Sequence, residues 1–461
     1  MAGKQIPVYL FLLAIISVSF SAPLQYQTLH LTPLPKTLKT QTLSWPTQFP
    51  GSESENTLSL SLHHIDKFSD HTLDSTPESL FKTRLRRDAL RVEKLCAVSA
   101  GGSSSVISGL SQGSGEFFTR IGVGTPPKYL YMVLDTGSDV VWLQCSPCRN
   151  CYTQTDPIFN PNNSTSFKSV PCGSPLCRQL DVSSCNGTKC LYQVLYGDRS
   201  FTTGEFSTET LTFRKTKVPN IALGCGLDNE GLFAGAAGLL GLGRGPLGFP
   251  VQSRQRFGEK FSYCLVDRFD DSNKSSSILF GDSAVSKKTV FMRLVKNPNP
   301  RMGSFYYVGL KGFSVGGKIV GGIKVSIFKI DPTSGDGGVI VDSGTAVTRL
   351  TKSAYVALRK AFLARATNLK RAPNFSLFDA CFDLSGETSV SVPTVVFHFD
   401  GADVSLPASN YLIPVDSKGT FCFAFAGTTG GLSIIGNIQQ QSFRVVYDLA
   451  GQKLGFAPKS C

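Results

Sequence analysis

The rhythm of apolar and polar positions divides the chain into three stretches. From Val8 to Phe20 the residues are almost continuously apolar, behind a basic Lys4 and ahead of the small pair Ser21-Ala22. This predicts a signal peptide over 1–22, because the run is shorter than the ~20 residues a membrane-spanning helix needs. No later segment is long and apolar enough to span, and Gly455–Cys461 lacks the apolar tail of a lipid-anchor signal, so no membrane anchor is expected. Residues 23 to about 110 begin Pro/Thr/Leu-rich and loosely patterned. Thr76-Pro77-Glu78 then supplies a capping hydroxyl, a first-turn Pro and an early acid. Phe81, Leu85, Ala89, Val92 and Cys96 follow at helical spacing, with Arg and Lys on the other faces. The Gly/Ser-rich stretches 101–105 and 111–115 come next. A basic helix followed by an accessible linker predicts a removable prosegment over 23–110, and a permanently attached arm is the alternative.

From Phe117 onward the pattern is that of strands. Phe117, Thr119, Ile121 and Val123 alternate, and Tyr129 to Leu134 is an apolar run of buried-strand type. The clearest later helix is Ser353 to about Thr367, with Tyr355, Leu358, Phe362 and Leu363 as its apolar stripe. The informative feature is an internal repeat. Val133-Leu134-Asp135-Thr136-Gly137-Ser138 recurs as Ile340-Val341-Asp342-Ser343-Gly344-Thr345, 207 positions on. Each copy is trailed by two apolar residues and a Gly: Leu239-Leu240-Gly241, 106 positions after Asp135, and Ile434-Ile435-Gly436, 94 after Asp342. Two related β lobes are expected, 111–290 and 291–461, each presenting one loop carboxylate to a shared cleft.

Composition agrees with that picture. A length of 461 residues suggests two or three folding units, and 45 Gly, 33 Phe and 17% charged residues favour strands and turns over helices. The net charge of +13 raises a nucleic-acid partner, but the basic residues are scattered. The tight cluster Lys82, Arg84, Arg86, Arg87 lies in the N-terminal stretch, so no specific nucleic-acid binding is expected.

Of 13 cysteines, Cys96 falls in the removable stretch. The remaining even set behind a signal peptide predicts six disulfides. Cys145-x-x-Cys148-x-x-Cys151 resembles metal-ligand spacing, yet no His is near to complete it, so neither metal nor cofactor is expected. Sequons begin at Asn162, Asn163, Asn186, Asn273 and Asn374, and of these Asn163, Asn186, Asn273 and Asn374 are the glycosylation candidates.

Histidine narrows the chemistry. Four of five lie before residue 110, and the fifth, His398, sits in the strand-like Val395–Phe399, where a structural role is expected. Ser–His–Asp and Cys–His schemes would rest on that residue alone. Paired carboxylates remain. Two at close range share one proton, so the ionised member can take a proton from water while the other polarises a carbonyl. Gly137 and Gly344 let the loops turn tightly beneath Asp135 and Asp342. Ser138 and Thr345 offer hydroxyls to the outer oxygens, and Thr136 and Ser343 can tie the two loops together.

These motifs resemble the pepsin-like aspartic protease family, in particular its plant nepenthesin-like branch, from about Gly115 to Cys461. The resemblance implies a mainly β, bilobal fold with a substrate cleft and a β-hairpin flap. It implies an endopeptidase made as a zymogen, acting on protein or peptide substrates as a monomer. The prosegment would be its intramolecular inhibitor, with a Lys or Arg neutralising the acids. A wall or other extracellular destination is expected, with the vacuole as the alternative. Tyr196 is the implied flap residue, pairing with Trp142, and Arg199 stands where relatives usually carry Gly. The implied disulfides are Cys145–Cys148, Cys151–Cys225, Cys172–Cys190, Cys177–Cys185, Cys264–Cys461 and Cys381–Cys422. A catalytically inert inhibitor-like or storage-like protein on the same scaffold is the competing reading.

Overall fold

A computed structural model describes residues 24–35, 57–64, 76–99, 107–108, 117–196, 200–231, 235–266 and 276–458. The expected signal peptide, Arg199, Asn273 and Cys461 lie outside these residues.

The architecture is mainly β. Phe117–Val123 and Lys128–Asp135 pair antiparallel, and Lys189–Tyr196 forms a hairpin with the long strand Phe201–Phe213. That strand pairs in turn with Thr216–Glu230. The C-terminal half repeats the theme with Tyr306–Val308, Val339–Val341, Thr348–Thr351 and Ser433–Ile435. Between the halves runs one antiparallel platform, in the order Thr57–His64, Ser276–Gly281, Lys260–Cys264, Phe443–Asp448, Lys453–Pro458, Val290–Val295. Stacked aromatics such as Phe261 and Tyr447, 4.4 Å apart, fill its centre. The helix Lys352–Leu363 buries Tyr355, Leu358 and Phe362 as its stripe predicts, and leaves Leu363 half-buried. His398 lies in a separate four-stranded sheet, held by Ser314 at 2.7 Å and Asp403 at 2.8 Å.

The described parts of the N-terminal segment form regular elements that its composition does not suggest. Tyr26–His30 pairs antiparallel with Ser389–Pro393. Thr57–His64 edges the platform with Leu58, Leu60 and Leu62 buried. That period-two alternation was legible in the sequence and went unread. Ile107–Ser108 runs parallel to Leu195–Tyr196, at the end of the hairpin. The helix Pro77–Ser99 starts where expected: Thr76 and Ser79 exchange side-chain and backbone hydrogen bonds at 3.1 Å, a reciprocal N-cap. Its buried face differs from the expected one. Phe81, Leu85, Val92 and Cys96 are buried, but Ala89 is exposed, while Arg84, Asp88 and Arg91 point inward. The face against the body accepts charge because charged partners wait there.

The disulfides also correct the implied pairing. Cys145 joins Cys225 and Cys148 joins Cys151, in place of Cys145–Cys148 and Cys151–Cys225. Parallel pairing sets Leu143 opposite Cys225, and Cys145 N–H donates to Gly226 O, so these two Cα atoms stand 5.3 Å apart. Likewise Cys172–Cys185 and Cys177–Cys190 replace Cys172–Cys190 and Cys177–Cys185. Cys185 and Cys190 face each other across a hairpin, and burial sorts their partners. Cys177 and Cys190 are both core residues, whereas Cys185 is exposed and Cys172 half-buried. Cys381–Cys422 is as implied, and Cys264 is disulfide-bonded too.

Candidate active site

Lys128–Asp135 ends on Asp135, and Val339–Val341 ends one residue before Asp342. Each strand is flanked in parallel by its second signature: Leu240 and Gly241 lie beside Leu134 and Asp135, Ile434 and Ile435 beside Ile340 and Val341. The closing glycines are there for clearance. A Cβ on Gly241 would sit 2.2 Å from the Asp139 carbonyl oxygen, and one on Gly436 would sit 2.5 Å from that of Ala346. Both carbonyls lie four residues past their own aspartate, so the sequence repeat is a repeat of geometry.

The two loops meet at a point of near two-fold symmetry. Ser343 N–H donates to Thr136 Oγ1 at 2.8 Å, Thr136 N–H donates to Ser343 Oγ at 3.3 Å, and the two hydroxyls are 3.2 Å apart. This is the tie the sequence predicts. Asp135 and Asp342 are fully buried, and each accepts the N–H two residues on, from Gly137 at 3.1 Å and Gly344 at 3.0 Å. Gly137 and Gly344 have no positive φ. Their bareness serves close approach instead of a tight turn, since a Cβ on Gly344 would come within 2.6 Å of Asp135 Oδ1. Thr345 Oγ1 donates to Asp342 Oδ2 at 2.6 Å. Ser138 departs from that symmetry: its hydroxyl is close enough to favour ionised Asp135, but among the described residues it completes no hydrogen bond, and neither does Asp135 Oδ2.

Arg91 fills the space between the acids. Its Nη2 donates to Asp135 Oδ1 at 3.1 Å and to Asp342 Oδ2 at 2.8 Å, and its Nε reaches Asp342 Oδ2 and Thr345 Oγ1, both at 3.2 Å. A single nitrogen touching both carboxylates shows how near they are. Burial works against the charge on Arg91, but the attraction of Asp342 and Asp135 more than offsets it, leaving the guanidinium pKa raised. Asp135 is itself pushed above the usual carboxylate range, by burial first and by the Asp342 charge, despite the opposing pull of Arg91. Sequence reading placed a basic helix over the acids without singling out this residue. Nothing in Arg84, Arg86, Arg87 and Arg91 separates one from the others until the helix is docked.

A buried polar layer beneath the dyad escaped sequence reading altogether. Gln440 Nε2 donates to the Asp342 carbonyl at 3.1 Å. Gln440 Oε1 accepts from the Tyr263 hydroxyl, which lies 2.7 Å from that of Tyr447. Asn437 Nδ2 donates to the Ser343 carbonyl at 3.0 Å. Trp142 is fully buried, at the start of the strand Trp142–Gln144. Tyr196 is the last residue of the strand Lys189–Tyr196.

Fold and site together define a class: a bilobal β protein in which two copies of one loop bring one aspartate each to a single centre. Two family profiles match, one described as xylanase inhibitor N-terminal over residues 117–282 and one as xylanase inhibitor C-terminal over 305–458. Aspartyl protease family protein 2 of Arabidopsis thaliana is 61% identical over 88% of this chain and 86% of its own length. Aspartic proteinase nepenthesin-1 of Nepenthes gracilis is 38% identical over 87% and 89%. Among solved structures, basic 7S globulin from soybean superposes with a TM-score of 0.59 at 20% identity, over 74% of this chain and 92% of that one. At that identity the globulin speaks for the fold alone. The chain belongs to the pepsin-like aspartic protease family, within its plant nepenthesin-like branch, and is an aspartic-type endopeptidase.

Proposed function

We propose that this chain is the secreted precursor of an endopeptidase in which Asp135 and Asp342 activate a water, and that Arg91 keeps it latent. The observation that carries the reading is the Arg91 guanidinium bridging both carboxylates inside a fully buried site. Once the N-terminal segment leaves, a water takes that central place. The ionised carboxylate accepts a proton from the water as its oxygen attacks the scissile carbonyl, and the protonated carboxyl hydrogen-bonds the carbonyl oxygen. The proton then passes to the amine nitrogen as the C–N bond breaks. Tyr196 and Trp142 close the hairpin over the substrate. The exposed Asn163, Asn186 and Asn374 suit glycosylation on the secretory route. No described helix is long and apolar enough to cross a membrane, and release as a monomer into the wall or extracellular space fits the expected signal peptide.

Acid supplies the trigger. Protonating the dyad removes the charge that holds Arg91, and Asp135 protonates above the ordinary carboxylate range. Precursor purified at neutral pH and moved to about pH 3–5 is expected to shorten from its N-terminus and then to cleave denatured protein, with pepstatin blocking both. Asp135→Asn should remain full length, its activity lowered by at least ~10²–10⁴-fold. Wild-type precursor that neither shortens nor cleaves anything across this range would sink the proposal.

A further inference from the structure

Asp88 lies one helical turn before Arg91, on the same face of the Pro77–Ser99 helix. Its carboxylate is fully buried and held at both oxygens: Oδ1 accepts the Ala346 N–H at 2.6 Å, and Oδ2 pairs with Arg349 Nη2 at 2.6 Å. A backbone N–H and a guanidinium together make a charge-assisted cradle for a carboxylate. Both donors belong to the C-terminal half, four and seven residues past Asp342, whereas the carboxylate belongs to the segment proposed to leave.

Arg349 has nowhere else to turn. It is only 5% exposed, its Nε lacks a partner among the described residues, and Asp88 is its one ion pair there. The neighbouring Tyr355 hydroxyl already donates to Asp379, which is itself paired with Arg359. Removing the helix leaves the Arg349 guanidinium and the Ala346 N–H without their carboxylate, beside the dyad and free to pair with another one.

We propose that Ala346 N–H and Arg349 form a carboxylate-binding subsite of the processed enzyme, which takes an acidic side chain of the substrate. Asp88 is its intramolecular occupant in the precursor. One helical turn is about 5 Å, which an extended substrate spans in one to two residues at ~3.4 Å each. The acid therefore falls within about two residues of the scissile bond, at one fixed position. Arg349 is then a specificity-determining residue. The inference rests on the protease reading above.

The test uses acid-processed wild-type enzyme and end-blocked peptides that differ only by Glu, Gln or Lys at each position around the cut. The ratio of kcat/KM for Glu over Gln is read at a pH where Glu is ionised. A preference of about 10-fold or more is expected at one position, falling to near unity in Arg349→Met and reversing toward Lys in Arg349→Glu. A wild-type ratio near one at every position, in peptides that are cleaved, overturns the inference and leaves the protease reading standing. So does an acidic preference that survives Arg349→Met, or one that appears only when the peptide C-terminus is left unblocked. Should the variants fail to fold, the wild-type profile alone still decides. No cleavage of any peptide by wild-type enzyme would remove both readings at once.

Discussion

Asp139, four residues past Asp135, ties its loop to Ser304 and Gly245. It is half-buried, and accepts hydrogen bonds from the Ser304 hydroxyl and, at 3.0 Å, the Gly245 N–H. Burial raises its pKa to about 6, with smaller upward pushes from Asp181 and Asp135, while the two donors oppose the shift. A folded pKa above the unfolded one means that this group stabilises the fold fully below about pH 4, and that the contribution fades as pH rises through 6. Asp139→Asn should flatten that dependence. With Asp135→Asn in both proteins to keep them full length, the precursor is expected to lose up to roughly 3 kcal/mol between pH 4 and pH 7 relative to its Asp139→Asn version, read by denaturant unfolding at each pH. An equal pH dependence in the two proteins would refute the assignment.

Legibility at this scale follows from repetition. Asp135 and Asp342 could be read because each came with the same neighbours and the same trailing signature. Arg91, Asp88, Gln440 and Tyr447 occur once each, and their importance exists only through partners 98 to 258 residues away. His398, for which a structural role was expected, lies on a half-buried strand with its two ring nitrogens hydrogen-bonded to Ser314 and Asp403.

Among elements, the N-terminal helix separates propensity from docking. Its start was plain from the cap, but its inward face was not, because amphipathic reading assigns charge to solvent. The docked face carries Phe81 against Phe375 and Phe378, at 6.2 and 6.4 Å, and Cys96 against Thr428 at 3.0 Å. Phe81→Ala should weaken docking by about 3–5 kcal/mol, so that the precursor shortens at a higher pH than wild type. Ala89→Glu, on the exposed side, should shift that midpoint little, since such changes stay within about 0.5 kcal/mol. If both variants moved the midpoint equally, the docked face would be wrongly assigned. The strand Thr57–His64 was missed for a different reason. Its Leu alternation is clear, but it sits in a stretch whose Pro-rich start suggests loose chain.

Across the whole molecule, bilobal symmetry was legible and connectivity was not. Spacing says nothing of which cysteines a given register brings together, and the implied pairing failed where two parallel strands decided it. The structure ranks the bridges by the loop each closes: Cys145–Cys225 spans 80 residues and Cys148–Cys151 only 3. Chain entropy puts their removal at about 4–5 and about 2 kcal/mol respectively. Peptide mapping without reduction should recover Cys145 linked to Cys225, and replacing both of those cysteines by Ser should lower Tm more than replacing Cys148 and Cys151. Recovery of a Cys145–Cys148 peptide would overturn this pairing.

The two strands that the N-terminal segment lends to the body bear on how the protein can be made. Ser389–Pro393 has Tyr26–His30 as its strand partner, and Ser276–Gly281 has Thr57–His64 along one edge. A recombinant chain begun at Gly115 would have to fold with both edges bare, and bare edges recruit other chains. If the leader is the stopper proposed above, it is a mould as well: it belongs in the expression vector, to be cut away only after the body has set around it.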